Sequence, residues 1–148
     1  MNPTEQATFR ALNCYTKLMR AAESVTGRVN RSMSEFDLTI SQFGVLEALY
    51  HKGPLCQRDL AVKILKSTGN LTLVIDNLEK RDLVRRRRDL EDRRYFTISL
   101  TDAGSSLISQ AFAKVQAAIV ADLSTLSESE QEQLGALCKK LGLKGGGN

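Results

Sequence analysis

The chain has 148 residues, a formal net charge of +4 and 42% apolar residues. That length fits a single domain, 1–148, and that composition supports a packed core rather than a disordered chain. No run approaches the roughly 18 apolar residues of a membrane span, and the N-terminus has no signal-peptide pattern, so we expect a cytoplasmic protein without a membrane partner.

The sequence offers little for catalysis or metal binding. It contains one histidine, His51, and three widely separated cysteines, Cys14, Cys56 and Cys138. This leaves no zinc-type spacing, and the chain lacks a Gly-rich phosphate loop and a recognisable nucleophile–base pair. We therefore predict no enzyme activity, no cofactor and no metal site. The local excess of basic residues over 81–94 instead indicates an acidic partner, most commonly nucleic acid.

Apolar residues at helical spacing predict a long first helix over about 8–33. The next segment, LTISQFGVLEALYHKGP, contains a capping box formed by Thr39 and Gln42, followed by a helix that ends at Gly53-Pro54. A short helix is then predicted in QRDLAVKILK.

The following helix, in STGNLTLVIDNLEKRD, has two different faces. One is an apolar stripe formed by Leu71, Val74, Ile75 and Leu78. The other carries short hydrogen-bonding side chains rather than the Glu/Lys mixture of a merely soluble surface: Thr68, Asn70, Thr72, Asp76 and Asn77. Ser67 or Thr68 can cap the N-terminus of this helix.

A hairpin is predicted next, because YFTISL alternates strictly between apolar and polar residues. Residues 84–88 supply the partner strand, and the turn lies around 89–92, so the run RRRRDLEDRR forms both arms and the tip. Beyond it, Thr101 caps a helix that extends to about 122, and Ser127 with Glu130 forms the capping box of a last helix.

Three short helices followed by a two-stranded wing, over 39–100, form the order of a winged helix-turn-helix. In such a domain the second helix of the motif lies in the major groove, with its N-terminal residues nearest the base edges. We therefore assign DNA contacts on this helix to Ser67, Thr68, Gly69, Asn70 and Thr72. The long flanking helices lack an obvious core within one chain, which indicates a partner subunit.

A charged wing beside such a helix can contact phosphates and the adjacent minor groove, which attracts arginine. We expect Arg85–Arg88 to face phosphate and solvent, and Arg94 to be aimed by a bidentate pair with Asp92. Asp89 and Glu91 either pair with Arg93 or Arg87 or face solvent. The assigned wing residues are Arg86, Arg87, Arg88, Asp92, Arg93 and Arg94. The alternatives are a hairpin whose charges only resist edge-to-edge aggregation, and a winged-helix protein–protein module without DNA binding.

LTISQFGVLEAL and NLTLVIDNLEKRDLVRRRRDLEDRRYFTISLTDAG resemble the MarR family of bacterial transcriptional regulators, closely so over about 36–110. The wing signature of that family is matched by Asp92, Arg94, Leu100 and Thr101. The resemblance implies a mainly α fold with a small β-hairpin wing, in which the winged helix-turn-helix lobe 36–100 lies between dimerisation helices at 5–34 and 102–143.

The resemblance also implies a homodimer that binds double-stranded DNA at a pseudo-palindromic operator. It implies repression, relieved by a small aromatic (phenolic) or lipophilic ligand or by thiol oxidation. One branch of the family senses peroxides through a cysteine in the first helix, held by nearby tyrosines. Cys14 lies in that region, but SVTGRVNRSM and LTISQF contain no tyrosine.

Cys56 occupies the N-cap position of the helix after Gly53-Pro54, where relatives commonly have threonine. A thiol is a poor cap, and a cysteine at a helix N-terminus tends to be more reactive. Cys14 and Cys56 are therefore candidate redox sensors. The plainer interpretation is a small, soft hydrophobe for Cys14 and neutral drift to a small residue for Cys56. We expect Cys138 to pack at the dimer interface.

Overall fold

The structure is a computed structural model that describes residues 1–64 and 68–143, with the backbone alone at residues 68 and 69. The elements in chain order are α1 (Pro3–Ser34), α2 (Ile40–Lys52), β1 (Leu55–Cys56), α3 (Gln57–Lys63), α4 (Thr68–Lys80), β2 (Val84–Arg88), β3 (Phe96–Leu100), α5 (Asp102–Leu123) and α6 (Glu128–Gly142). This order confirms the predicted helices and hairpin. None of the helices described is both long enough and apolar enough to cross a membrane.

The predicted caps at Thr39, Thr101 and Ser127 all form. Helix α1 begins about five residues earlier than its apolar spacing predicted. The reason is a further capping box, in which the side chain of Asn2 accepts from the amide of Glu5 and the Glu5 carboxylate accepts from the amide of Asn2. The cap predicted for α4 at Ser67 or Thr68 falls outside the side chains described.

The wing is part of a three-stranded antiparallel sheet with the order β1-β3-β2. The hairpin of β2 and β3 has the register Val84↔Leu100 through Arg88↔Phe96. The sequence prediction of two strands missed β1, which pairs Cys56 with Thr97 and is too short for an alternating pattern to develop. Since β1 runs directly into α3, the sheet joins the wing to the start of that helix.

The core lies between α2, α3, α4, the sheet and α5. Its largest fully buried side chains include Leu46, Leu60, Leu71, Ile75, Leu78, Ile98 and Ile108. The apolar stripe predicted on α4 is thus buried, at roughly 1.5–3 kcal/mol per large side chain, and its opposite face lies outward. Helices α1 and α6 contribute little, because Met33 is the buried residue of α1 and α6 has none, whereas α5 contributes Ile108, Ala111 and Val115.

The C-terminal end of α4 is fastened to the start of α5. Asp82 adopts a left-handed conformation with φ of +58°, and its carbonyl accepts from the Thr101 hydroxyl at 2.6 Å. The Thr101 amide donates to the carbonyl of Leu83 at 3.1 Å, and a Cβ at Gly104 would collide with that same carbonyl oxygen. Helix α5 therefore approaches the end of α4 at backbone contact distance.

Arg81 makes a second attachment at the same end of α4. Its guanidinium donates to the carbonyls of Asp37 at 2.7 Å and Phe36 at 3.3 Å, in the loop that follows α1. The segment that follows α4 is consequently attached both to the loop after α1 and to the start of α5.

Candidate nucleic-acid interface

The outward face of α4 carries Asn70, Leu73 and Asn77, which are all exposed. Their spacing of three and four residues places them on one side of the helix. Leu73 was missed by the sequence prediction, because an apolar residue in a helix is first taken as core. The sequence did contain one indication that Leu73 is exposed, since its helical position falls outside the stripe formed by Leu71 and Ile75.

Thr72 and Asp76 turn toward α3 and the wing. The Thr72 hydroxyl accepts from Nε2 of Gln57 at 2.7 Å, and Thr72 is half-buried. The prediction placed both residues on the same face as Asn70, so the structure separates a set that the sequence grouped. Of the other assigned residues, Ser67 lies outside the residues described, Thr68 is described without its side chain, and Gly69 belongs to the first turn of α4.

Arg86 points back against α4 rather than outward. Its Nη2 donates to Oδ1 of Asp76 at 2.7 Å, and its backbone amide donates to Oε2 of Glu79 at 3.2 Å. The side chain is 19% exposed. The cause is strand alternation, which places Arg86 opposite Ile98 on the inward face, while Arg85 and Arg87 are exposed. Arg86 thus ties the wing to α4.

The loop of the wing, between β2 and β3, is shaped by Asp89. Its Oδ1 accepts from the amides of Glu91 at 2.7 Å and Asp92 at 3.0 Å. Asp89 therefore stabilises the turn instead of pairing with an arginine, whereas Glu91 is exposed. Across the loop, Nη1 of Arg88 donates to the carbonyl of Arg93 at 2.9 Å, which joins the two arms.

Asp92 and Arg94 form the bidentate pair that the sequence predicted. Nε of Arg94 donates to Oδ1 at 3.0 Å, Nη2 donates to Oδ2 at 2.8 Å, and the Arg94 amide also donates to Oδ1 at 3.1 Å. The side-chain and backbone bonds from Arg94 lower the pKa of Asp92, and the carboxylate raises the pKa of Arg94. Both groups are consequently charged at neutral pH, and the guanidinium is held in one orientation.

Arg58 in the first turn of α3 supports the same region. Its Nη2 donates to the Tyr95 hydroxyl at 2.9 Å, and its guanidinium lies 4.8 Å from the centre of the Tyr95 ring. The guanidinium of Arg94 lies 5.7 Å from that ring centre. No local pattern in the sequence could have revealed Arg58, because its partner is 37 residues away.

A cleft of about 420 Å³ separates the wing from α3 and α4. Three arginines and two aromatic rings line it, together with Gln57 and Thr72: the arginines are Arg58, Arg86 and Arg94, and the rings are Tyr95 and Phe96. Two of these arginines, Arg86 and Arg94, are paired with the carboxylates of Asp76 and Asp92, whereas Arg58 donates to the neutral Tyr95 hydroxyl.

Comparison with known proteins identifies the family. Residues 38–96 match the sequence model of the MarR family. The HTH-type transcriptional regulator MhqR of Bacillus subtilis is 34% identical over 136 residues, which cover 92% of this chain and 94% of that protein. The chain belongs to the MarR family. It is a DNA-binding transcriptional regulator, and its relatives are named as regulators rather than enzymes.

Solved structures of MarR-family regulators have the same fold. AbsC of Streptomyces coelicolor superimposes with a TM-score of 0.82 at 21% identity, covering 100% of this chain and 98% of that one. The S. aureus MepR–DNA complex superimposes with a TM-score of 0.78 at 28% identity, covering 86% and 95%. The predicted winged-helix fold is confirmed, and the hypothesis of a module without DNA binding loses its support.

The cysteines of this MarR-family chain are free thiols in two different settings. Cys56 is the N-cap of α3, as predicted, and its Sγ accepts from the amide of Asp59 at 3.5 Å. Cys14 and Cys138 are exposed and line a common apolar groove of about 500 Å³ between α1 and α6. The environment of Cys14 in the single chain is thus an exposed apolar groove rather than the core.

Proposed function

We propose that the protein binds a pseudo-palindromic operator in double-stranded DNA as a homodimer and represses transcription. The observation that carries this proposal is the position of the exposed face of α4 beside a wing whose arginine is held in place by Asp92. Each lobe would insert α4 into the major groove, with Asn70 near the base edges, and direct Arg93 and Arg94 toward the minor groove. Chromosomal operators would place this activity in the cytoplasm.

Within this proposal the remaining assigned residues have two roles besides the minor-groove contacts of Arg93 and Arg94. Arg87 and Arg88 would contact phosphates, because both are exposed, and Arg88 would do so with the nitrogens that its bond to the Arg93 carbonyl leaves available. Arg86 and Thr72 would instead hold the geometry, because their hydrogen bonds to Asp76 and Gln57 are already made within the chain.

The homodimer is supported by apolar side chains that a single chain leaves in water. They lie on α1 and α6, within the dimerisation segments 5–34 and 102–143, and comprise Phe9, Leu12, Tyr15, Met19, Leu134, Leu137 and Leu141. Large apolar side chains left exposed on two long helices mark an interface, and a second copy with two-fold symmetry would cover them. The lobe 36–100 would then be carried at each end of the dimer.

Release from DNA by a small aromatic or lipophilic ligand is supported by a cleft of about 540 Å³ between the end of α1 and the start of α2. Met33, Leu38 and Ile40 supply its apolar lining. A ligand there would bind at the junction between the dimerisation helices and the DNA-binding lobe. Oxidation of Cys14 or Cys56 is the second proposed route, since neither thiol is fully buried.

The test is a selection of bound duplexes from random DNA, followed by affinity measurements on the enriched duplex. Between about 50 and 200 mM salt the affinity should fall by orders of magnitude, because phosphate contacts release counterions. A flat salt response, or no enrichment, would refute DNA recognition. The same measurement with an oxidant and with a panel of phenolic ligands tests release, and an unchanged affinity throughout would refute it.

A further inference from the structure

Leu73 is the large apolar side chain that α4 leaves exposed, among the side chains described for residues 70–80 of this helix. Its neighbours Leu71 and Ile75 are fully buried, whereas Leu73 is 64% exposed. A single exposed leucine is ordinary on a protein surface. Its position is what distinguishes it, because it lies between Asn70 and Asn77 on the outward face of the helix that enters the major groove.

The major groove offers one apolar group to such a side chain. The 5-methyl group of thymine projects into this groove, whereas the other groups presented there are hydrogen-bond donors and acceptors. Leucine has no hydrogen-bonding atoms in its side chain, so its favourable contact is with that methyl group. The adjacent amides of Asn70 and Asn77 can meet the polar edges of neighbouring bases.

We propose that Leu73 is a specificity-determining residue that contacts the methyl group of a thymine in each half-site of the operator. This assignment rests on the proposed function, because it requires α4 to lie in the major groove. It adds a base preference to that function: thymine is selected over cytosine and over any pyrimidine without the methyl group. The side chain of Leu73 would make an apolar contact only where the base opposite it is thymine.

The experiment replaces each thymine of the enriched duplex, one at a time, by deoxyuridine. This change removes the methyl group and leaves the hydrogen-bonding groups of the base in place. Removing one buried methyl-sized group should weaken binding about fourfold at the thymine that Leu73 contacts, and about sixteenfold when both half-sites are changed. Leu73→Ala should bind the thymine and deoxyuridine duplexes equally well.

The matched control is Leu90→Ala. It makes the same change from leucine to alanine at a side chain that is 98% exposed on the wing loop, away from α4. It should retain the full preference for the methyl group. Circular dichroism and thermal melting should show Leu73→Ala folded like wild type, because this side chain is outside the core.

The outcomes separate the two proposals. If wild type binds the enriched duplex but tolerates deoxyuridine at every thymine, the assignment of Leu73 is overturned while DNA recognition stands. It is equally overturned if Leu73→Ala keeps the deoxyuridine penalty. If no duplex is enriched at all, the proposed function fails and the assignment fails with it.

Discussion

At the scale of single residues, the guanidinium of Arg94 is already bonded to Asp92 in the protein without DNA. Its two bonds to Asp92 and its position beside Tyr95 restrict the guanidinium, so less side-chain entropy is lost when it enters a groove. We expect Arg94→Ala to weaken binding of the enriched duplex about 10- to 100-fold, measured by fluorescence anisotropy. Urea unfolding should be unchanged, because Arg94 is exposed; wild-type affinity in this variant would contradict the wing assignment.

Asp92→Asn tests the aiming of Arg94 rather than its charge. The variant keeps the arginine but removes the carboxylate, so we expect a smaller loss of DNA affinity than for Arg94→Ala. The pKa of Asp92 is lowered by Arg94, so the paired form exists above the ordinary carboxyl value of 3.8 and is lost only as pH falls through the lower value. The affinity ratio of wild type to Asp92→Asn should therefore be constant from about pH 5 to pH 8. A ratio that changes within that range would contradict the persistent ion pair.

The sequence predicted the Asp92–Arg94 pair because both partners lie within one turn of chain. It did not predict that Arg86 and Thr72 face inward. Their partners Asp76 and Gln57 are 10 and 15 residues away, and the direction of each side chain depends on the strand register and helix rotation. A shift of one residue in a strand reverses every side chain, so composition alone treats all four arginines of β2 as equivalent.

At the scale of elements, the apolar stripe of α4 was predictable because helical period and burial coincide there. Strand β1 was not predictable, because two residues are too few to show an alternating pattern of apolar and polar side chains. The junction of α4 with α5 depends on a third feature, the absence of a side chain at Gly104. This residue looks like an ordinary small residue near a helix start, and only the folded chain shows which backbone it meets.

We expect Gly104→Ala to lower the free energy of unfolding by about 1–3 kcal/mol, since its Cβ must displace the carbonyl of Leu83 or the start of α5. Urea denaturation at fixed protein concentration measures this. The control is Gly135→Ala in α6, where an added Cβ meets nothing within 4 Å among the residues described. That variant should gain about 0.5–1 kcal/mol from helix propensity. Equal losses in both variants would contradict the close approach.

At the scale of the whole molecule, a single chain leaves its longest helix largely outside its own core. This exposure was predicted from the sequence, because the apolar stripe of α1 is longer than the core of one winged-helix lobe can cover. The groove between α1 and α6 has the same property, with Leu134, Leu137 and Leu141 along one side. What the sequence could not supply is that these two helices line one groove, since they lie near opposite ends of the chain.

Leu137→Asp tests whether this surface holds two copies together. Leu137 is 64% exposed in the single chain, so a charge there should leave the fold intact. In a two-fold dimer the change occurs twice, and the loss of two buried leucines should weaken dimerisation by at least about a hundredfold. Analytical ultracentrifugation should then show monomers, and operator affinity should fall because each half-site is bound separately. Leu90→Asp on the wing is the matched control and should remain dimeric. A Leu137→Asp protein that sediments as a wild-type dimer would exclude α6 from the interface.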